Sequence, residues 1–246
     1  MKILGKVEYV GTAYNGWQKQ KNGKTIQNVI ESVLSKIFNT EITIYGSGRT
    51  DAGVHASGQR FHFEVAKEKI DLGLLKHGIN TILPDDIRII SLVKVDSNFD
   101  ARKSAKKKIY EYAIIFGEAK VFQKPYFCEV KRQISRENFE KTLNLFVGKH
   151  NFSSFTSKVN DENNFVRTIY SIEIKNDGNQ AIVTLIGDGF MKYMIRYLIG
   201  VALAVANGKM TLEEVKKRLE FSSSRQVTSF KAPANGLTLV DVLYNL

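Results

Sequence analysis

The chain has 246 residues, of which 43% are hydrophobic and 25% charged, and its formal net charge is +11 at pH 7. This composition is ordinary for a folded protein of one large or two smaller domains. The basic excess indicates a polyanionic partner, most often a nucleic acid. The single cysteine, Cys128, excludes an internal disulfide and a thiolate metal site.

The chain shows no signal-like segment before its first strand pattern. Its longest apolar run, Tyr197–Ala206, is far shorter than the ~20 residues that span a bilayer. We therefore expect a cytoplasmic protein without a membrane partner. The four histidines lack the spacing of metal ligands, so no metal site is predicted: they are His55, His62, His77 and His150.

The first half of the chain alternates strand and helix patterns, beginning with a strand at Lys6–Val10. Apolar residues spaced three and four apart over Ile26–Phe38 predict an amphipathic helix, with Thr25 as its N-cap. Alternating apolar residues predict strands over residues 42–45, 60–65 and 87–95, and a short helix is predicted near residues 72–78.

The second half repeats this alternation. It begins with a strand at Lys108–Phe116, in which Tyr110 and Tyr112 share one face. Ser135 is a predicted N-cap, and Thr211 with Glu214 forms a predicted capping box. The other predicted elements are a hairpin over residues 168–187, a long helix over about 191–207 and a last strand over 237–244.

Mixed strands and helices with hairpins indicate an α+β fold rather than a doubly wound parallel sheet. The likeness of the two halves predicts two pseudo-duplicated, ferredoxin-like or RRM-like halves. Their mixed, mainly antiparallel sheet would be backed by helices and would border a basic central cleft. We place the halves at residues 1–103 and 104–246, because the basic run of residues 102–108 marks the boundary.

The most informative stretch is residues 46–56, where Asp51 stands in a Gly-rich loop predicted to join a strand to a helix. A buried loop carboxylate is costly without a nearby cation, and Arg49 can supply one. Such an arrangement holds a carboxylate ionised as a nucleophile. On these residues alone, a turn or helix-cap role for Asp51 is the simpler interpretation.

Motifs elsewhere in the chain favour the catalytic interpretation. They are Tyr9-x-Gly11-Thr12-x-Tyr14-x-Gly16-Trp17-Gln18, Gly48-Arg49-Thr50-Asp51-Ala52-Gly53-Val54-His55-Ala56, Phe99-x-Ala101-Arg102, Tyr110-x-Tyr112, Arg167-Thr168, Met194-Ile195-Arg196 and Ala232-Pro233-x-x-Gly236-Leu237. In this order, and over nearly the whole length, the chain resembles the tRNA pseudouridine synthase A family.

The resemblance implies an enzyme that isomerises uridine to pseudouridine in the anticodon stem-loop of tRNA, at nucleotides 38, 39 and 40. The reaction cleaves the C–N glycosidic bond, rotates the uracil and joins its C5 to the ribose. It uses no cofactor and no metal. The resemblance also implies a homodimer whose partner is the tRNA anticodon arm.

The resemblance makes Asp51 the catalytic nucleophile, with attack on the sugar or on the base left open. It also places Arg49 in the catalytic set. Arg196 lies among apolar helix residues and is expected to need a carboxylate partner, for which Asp51 is the natural candidate. Tyr110 fits a residue that stacks on the extruded uracil and removes the C5 proton. The alternative for Tyr110 is a sheet tyrosine packed in the core, which is the role we expect for Tyr112. Leu237 fits an apolar wall beside the base, with a core role as the alternative.

The target uridine must be flipped out of its stack, which costs a few kcal/mol that stacking and phosphate contacts offset. The residues expected to bind the substrate in this way are Gln18, Lys19, Arg102 and Lys103. The chain departs from the family pattern at several positions. Val10 stands where Asp is usual, and Asp100 and Lys103 replace a usual histidine and an aromatic residue. Lys192 and Tyr193 stand where an apolar or aromatic residue and a histidine are common.

Two other functions compete with this interpretation. A non-catalytic RNA-binding protein or chaperone on the same scaffold would explain the basic charge, but it would not need Arg49, Asp51 and Arg196 together. A glycosidase or nucleosidase would need two partnered carboxylates. The only nearby candidates for that pair are Glu64 and Asp86, and neither has a flanking motif.

Overall fold

The computed structural model describes residues 1–67, 69–157, 165–220 and 226–245 and confirms the α+β class. The helices in these ranges are α1 (Ile26–Phe38), α2 (Leu72–Ile82), α3 (Arg136–Asn144), α4 (Met194–Ala206) and α5 (Leu212–Leu219). The strands are β1 (Lys2–Tyr9), β2 (Tyr45–Gly46), β3 (His55–Glu64), β4 (Ile87–Val95), β5 (Lys107–Phe116), β6 (Cys128–Val130), β7 (Gly148–Asn151), β8 (Val166–Asp177), β9 (Gln180–Gly187) and β10 (Leu237–Leu243).

The chain forms two compact units, and the first comprises Met1–Lys106 with the segment that begins at Thr238. In this unit β1 lies between β3 and β4 and is antiparallel to both. The short strand β2 is antiparallel to β3, and β10 is parallel to β3. Helix α1 begins where Thr25 Oγ1 accepts the N–H of Asn28, as its sequence predicts, and it buries Ile26, Ile30 and Leu34.

One strand prediction in this unit is wrong for most of its length. Residues 42–45 alternate as a strand does, and Ile42 and Ile44 are buried, yet only Tyr45 pairs with β3. The reason is that side chains of α1 take the backbone donors. Ser35 Oγ accepts the N–H of Ile42 at 2.9 Å, and Glu31 Oε1 accepts the N–H of Ile44 at 3.1 Å.

The C-terminal segment packs with the first unit, whereas the division at residues 103 and 104 counts it with the second half. Thr238 and Leu239 pair with His55 and Ala56 of β3. Two ion pairs stabilise this strand pairing: the Asp241 carboxylate lies 3.1 Å from Lys6 Nζ and 3.0 Å from a guanidinium nitrogen of Arg60. Long-range strand pairing of this kind is not visible in local sequence patterns.

The second unit is Lys107–Leu237. Here β5, β9, β8 and β7 follow one another in an antiparallel sheet, and β6 is parallel to β5. Gly178, at φ +57°, closes the predicted β8–β9 hairpin. Helix α4 is buried over most of its length and packs on α3. It begins at Met194, later than predicted, because the residue before it, Tyr193, has a left-handed backbone.

None of the helices within the described ranges is long and apolar enough to cross a membrane.

Candidate active site

The loop that carries Asp51 joins β2 to β3, so the helix predicted after it is wrong. The chain after β1 holds this loop from one side. The backbone N–H of Trp17 donates to Thr50 O at 3.1 Å, and the backbone N–H of Gly53 donates to Tyr14 O at 3.3 Å. These backbone bonds tie the residues on both sides of Asp51 to a segment that is distant in the sequence.

A buried side-chain hydrogen bond strengthens this attachment. The hydroxyls of Tyr9 and Thr50 share a hydrogen bond of 2.7 Å, and both residues are buried. Burial raises the pKa of the Tyr9 hydroxyl above its ordinary value, so this group stays protonated near neutral pH. The Thr50 side chain, next to Asp51, therefore has one fixed partner.

Strand β3 holds the other side of the loop. Ser47 Oγ donates to Gln59 Oε1 at 2.7 Å, while Gln59 Nε2 donates to Gly48 O at 3.1 Å. His55 Nδ1 accepts the N–H of Gly11 at 3.1 Å. Ser47, His55 and Gln59 are almost completely buried, so these polar contacts form inside the protein and are protected from competing water.

A glycine permits the close approach of the two segments. Gly16 has φ +84°, and a Cβ built there would lie 2.6 Å from Thr50 O. Both the backbone conformation and the space exclude a side chain at this position. This explains in physical terms why the motif needs glycine immediately before the buried Trp17.

Asp51 is half-buried, and its carbonyl accepts the N–H of Val54 at 3.1 Å. The turn places the carboxylate-bearing residue between two anchored positions, Thr50 and Gly53. Arg49 is exposed, and its Nε donates to Gln18 Oε1 at 3.1 Å. Two predicted site residues, Arg49 and Gln18, are therefore in direct contact beside this loop.

Lys19 has a structural partner as well as an exposed side chain. Its Nζ lies 3.2 Å from the carboxylate of Glu31, which is buried in α1, and its N–H donates to Gln27 Oε1 at 3.0 Å. Because the Lys19 side chain remains half exposed, the same ammonium group can also meet an anion from solvent.

Arg102 and Lys103 lie on an exposed turn in the first unit. Both donate their backbone N–H to Asp100 Oδ1 at 2.8 Å. Desolvation acts to raise the pKa of the Asp100 carboxyl, but the N–H donors of Lys103 and Arg102 outweigh it and hold that pKa below its usual value. An ionised Asp100 thus fixes the turn that presents the two cationic side chains.

Three predicted site residues belong to the second unit. Tyr110 is buried, with 8% exposure, and its ring meets Phe190 edge-on at 5.2 Å. Arg196 is half-buried and its Nε donates to Ala232 O at 2.8 Å. Leu237 is buried. Tyr112 has the expected core position, and its hydroxyl donates to Pro233 O at 2.9 Å.

The two carboxylates of the competing glycosidase hypothesis have structural partners. Glu64 forms an ion pair with Lys2 at 3.2 Å, and its side chain is largely exposed. Asp86 accepts the hydroxyl of Tyr14. Tyr9 and His55 belong to the sequence motifs, but sequence analysis assigned neither them nor Gln59 a role in supporting the Asp51 loop. Only His55 had a visible signal, because it is a polar residue between the apolar Val54 and Ala56, whereas Gln59 lies between Gly58 and Arg60.

The family model of tRNA pseudouridine synthase matches residues 6–102 and 143–245 of the chain. These ranges include the clamped Asp51 loop, the Arg196 helix and the last strand. The chain belongs to the tRNA pseudouridine synthase family, a family of isomerases, as its motifs predict.

Within this family, curated relatives named tRNA pseudouridine synthase A match nearly the whole chain. The protein of Thermodesulfovibrio yellowstonii is 38% identical over 99% of this chain and 100% of its own length. The Chlamydia pneumoniae protein is 39% identical over 99% of this chain and 92% of its own. The Mycoplasma genitalium protein is 36% identical over 99% and 98%, respectively.

The Tyr9–Thr50 contact is testable by a double-mutant cycle. Tyr9→Phe and Thr50→Val should each lower the free energy of unfolding by about 1–3 kcal/mol, since each leaves a buried hydroxyl without its partner. The double variant should lose less than the sum of the two. Urea unfolding measures all three, and strictly additive losses would show that the contact contributes nothing.

We expect His62 to make the free energy of unfolding depend on pH. Its Nδ1 accepts the N–H of Ala101 at 3.0 Å, and desolvation lowers the pKa of the buried ring. The folded state thus favours neutral His62, so stability is full above the ordinary histidine pKa of about 6.5 and falls as the pH drops below it. His62→Gln, which keeps an acceptor, should flatten this decline.

Urea unfolding at several pH values between 7.5 and 5 measures the effect. The other histidines are common to both proteins, so the difference in slope isolates His62. Equal slopes in wild type and His62→Gln would contradict the prediction.

Proposed function

We propose that Asp51 is the nucleophile of a cofactor-free isomerisation of uridine to pseudouridine in the anticodon stem-loop of tRNA, at nucleotides 38, 39 and 40. The observation that carries the proposal is the clamped loop: a half-buried carboxylate between residues anchored by Tyr9, Trp17 and Tyr14. A nucleophile held in one position avoids the entropic cost of orienting it during reaction.

The reaction balances without a co-reactant. The bond between uracil N1 and ribose C1′ breaks, the base rotates, and a bond between C5 and C1′ forms. The C5 hydrogen leaves as a proton, and N1 gains one. Attack of Asp51 on the sugar and attack on the base both require an ionised carboxylate near the flipped nucleotide.

The other site residues have supporting roles in this proposal. Tyr110 stacks on the extruded uracil and accepts the C5 proton, and Leu237 provides an apolar wall beside the base. Arg196 balances the charge of Asp51, as proposed from the sequence. Exposed Arg49 has its guanidinium positioned by Gln18, which suits a contact with an RNA phosphate.

The exposed side chains of Lys19, Arg102 and Lys103 suit further phosphate contacts. The turn fixed by Asp100 favours this role, because it orders the backbone of two adjacent cationic residues. Homodimer assembly, a cytoplasmic location and the basic cleft remain predictions from the sequence.

Release of tritium from uracil C5 tests the reaction. Wild-type protein is incubated with unmodified tRNA labelled at C5 of uridine, in the presence of EDTA. We expect tritium in water, and we expect its amount to fall when uridines 38, 39 and 40 are replaced by cytidine. Binding without tritium release would favour the RNA-binding alternative, and release of free uracil would favour a nucleosidase.

A further inference from the structure

Three cations surround the ring of Tyr193 in the second unit. Lys231 Nζ lies 4.5 Å from the ring centroid, Lys192 Nζ lies 5.1 Å from it, and Arg196 Cζ lies 5.2 Å from it. Each distance is within the range of a cation–π contact. The ring brings two exposed ammonium groups, those of Lys192 and Lys231, near one another, and this pair of like charges favours a bound anion.

Tyr193 also has an unusual backbone, with φ +62° and ψ 3°. A left-handed conformation is uncommon for a bulky residue and persists where the surrounding structure enforces it. Lys192 and Tyr193 are also two positions at which the sequence departs from the family pattern.

The backbone around the three cations is firmly held. Arg196 Nε donates to Ala232 O at 2.8 Å, and Ala232 N donates to Arg196 O at 2.9 Å. Thr156 Oγ1 donates to Lys192 O at 3.0 Å. These bonds fix the segment that carries Lys231 against the start of α4. The backbone next to each of the three cationic side chains is therefore ordered.

A groove of about 310 Å³ continues from this cluster along α4. Arg196, Gly200 and Leu203 are spaced four and three apart, which places them on one stripe of α4, and Tyr193 is the residue before the helix. Gly200 lets the chain run close to the helix: a Cβ built there would lie 2.6 Å from Phe230 O.

The groove is positively charged. Lys231 belongs both to its wall and to the Tyr193 cluster, and Lys131 and Arg132 line it as well. The Lys131 ammonium forms an exposed, 3.9 Å pair with Glu118. Among the described residues that line the groove, Glu129 is the acidic one, and its Oε1 accepts the N–H of Ala119 at 2.8 Å.

We propose that Lys192, Lys231 and Arg132 form a phosphate-binding track for the RNA backbone, with Tyr193 as the positioning residue that holds the cations together. This inference rests on the proposed function, because it takes RNA as the ligand. Arg132 and Lys231 line the groove, and Lys192 shares the Tyr193 ring with Lys231. Such a set of cations suits the repeated phosphates of a nucleic acid strand, which dominate affinity and make it salt-dependent.

A double variant, Lys192→Gln with Lys231→Gln, tests the track. We expect its affinity for an anticodon stem-loop RNA to fall about 10-fold at moderate salt. The slope of log affinity against log salt should decrease in magnitude by about 1–2, as for two lost phosphate contacts. In turnover, KM should rise while kcat at saturating RNA stays near the wild-type value.

The matched control is Lys175→Gln with Lys217→Gln, which removes two exposed lysines of the same unit outside the groove. It changes net charge equally, so its effect on binding measures the contribution of overall charge. Equal losses in the two double variants would overturn the track. Loss of binding to phosphatidylserine vesicles, with RNA binding unchanged, would assign the surface to a membrane instead.

Tyr193 has its own test. Tyr193→Phe keeps the ring and should bind RNA as the wild type does. Tyr193→Asn tolerates the left-handed backbone but removes the ring, so it should fold normally and bind RNA at least about 3-fold more weakly. Wild-type affinity in Tyr193→Asn would refute the positioning role.

These outcomes are separable from failure of the proposed function. RNA binding is read without catalysis, so the track can be confirmed or overturned even if the wild type releases no tritium. Tritium release by the wild type, together with unchanged RNA binding in the lysine double variant, would leave the catalytic proposal standing and remove only the track.

Discussion

Replacing Asp51 with asparagine is expected to lower single-turnover tritium release by at least about 10,000-fold, the scale seen when a catalytic nucleophile is removed. The amide has nearly the same shape but lacks the charge and nucleophilicity of the carboxylate. Backbone bonds of Thr50, Asp51 and Gly53 and the hydroxyl contact between Tyr9 and Thr50 hold the loop, and the substitution leaves all of them in place. Folding and tRNA binding should therefore persist, as measured by urea unfolding and by direct RNA binding.

Asp85→Asn is the control for this prediction, because Asp85 is an exposed carboxylate of the same unit and carries no role in the proposed reaction. Its rate should stay within about 2-fold of the wild-type rate, as is usual for a surface substitution. If Asp51→Asn retained a tenth or more of the wild-type rate, another group would have to be the nucleophile.

Gly16→Ala is expected to have the second largest effect, lowering the free energy of unfolding by about 2–4 kcal/mol through left-handed strain and crowding together. The added Cβ would lie 2.6 Å from Thr50 O, so the segment that holds the Asp51 loop must shift. A displacement of about 1 Å in an active site can cost 100-fold in rate. We expect a loss of that order in tritium release.

The variant Gly178→Ala separates the effect of left-handed backbone strain from the effect of crowding. Gly178 also has a left-handed backbone, at φ +57°, but no atom lies within 4 Å of a Cβ built there. It should lose only the strain cost of about 1–2 kcal/mol and keep wild-type turnover. Similar losses of activity in both variants would show that crowding at Gly16 does not position the Asp51 loop.

Much of the fold was predictable because its signals are local. The spacing of Ile26, Ile30 and Leu34 identified α1, and Thr25 was recognised as the N-cap just before its first residue. The capping box of Thr211 and Glu214 likewise identified the start of α5. Such patterns depend on residues a few positions apart, so tertiary contacts rarely override them.

The failures have a common physical cause. Ile42 and Ile44 alternate as strand residues do, but the side chains of Ser35 and Glu31 bond their backbone donors. The Asp51 loop was expected to lead into a helix, whereas β3 begins at His55, where pairing with β10 is possible. In both places a partner in another element, α1 in the first case and β10 in the second, decided the backbone conformation.

By itself the sequence determined the family and the α+β class, since these follow from motifs and periodicities along the chain, and its motifs led to the proposal that Asp51 is the nucleophile. Only the tertiary structure showed how Asp51 is held. Tyr9 meets Thr50 from 41 residues away, and Gly11 meets His55 from 44 residues away. It also gathered Lys192, Arg196 and Lys231 around Tyr193. Contacts of this kind join residues that are far apart in the chain. Forming them costs the entropy of closing a long loop, and no short-range sequence pattern shows which residues will meet.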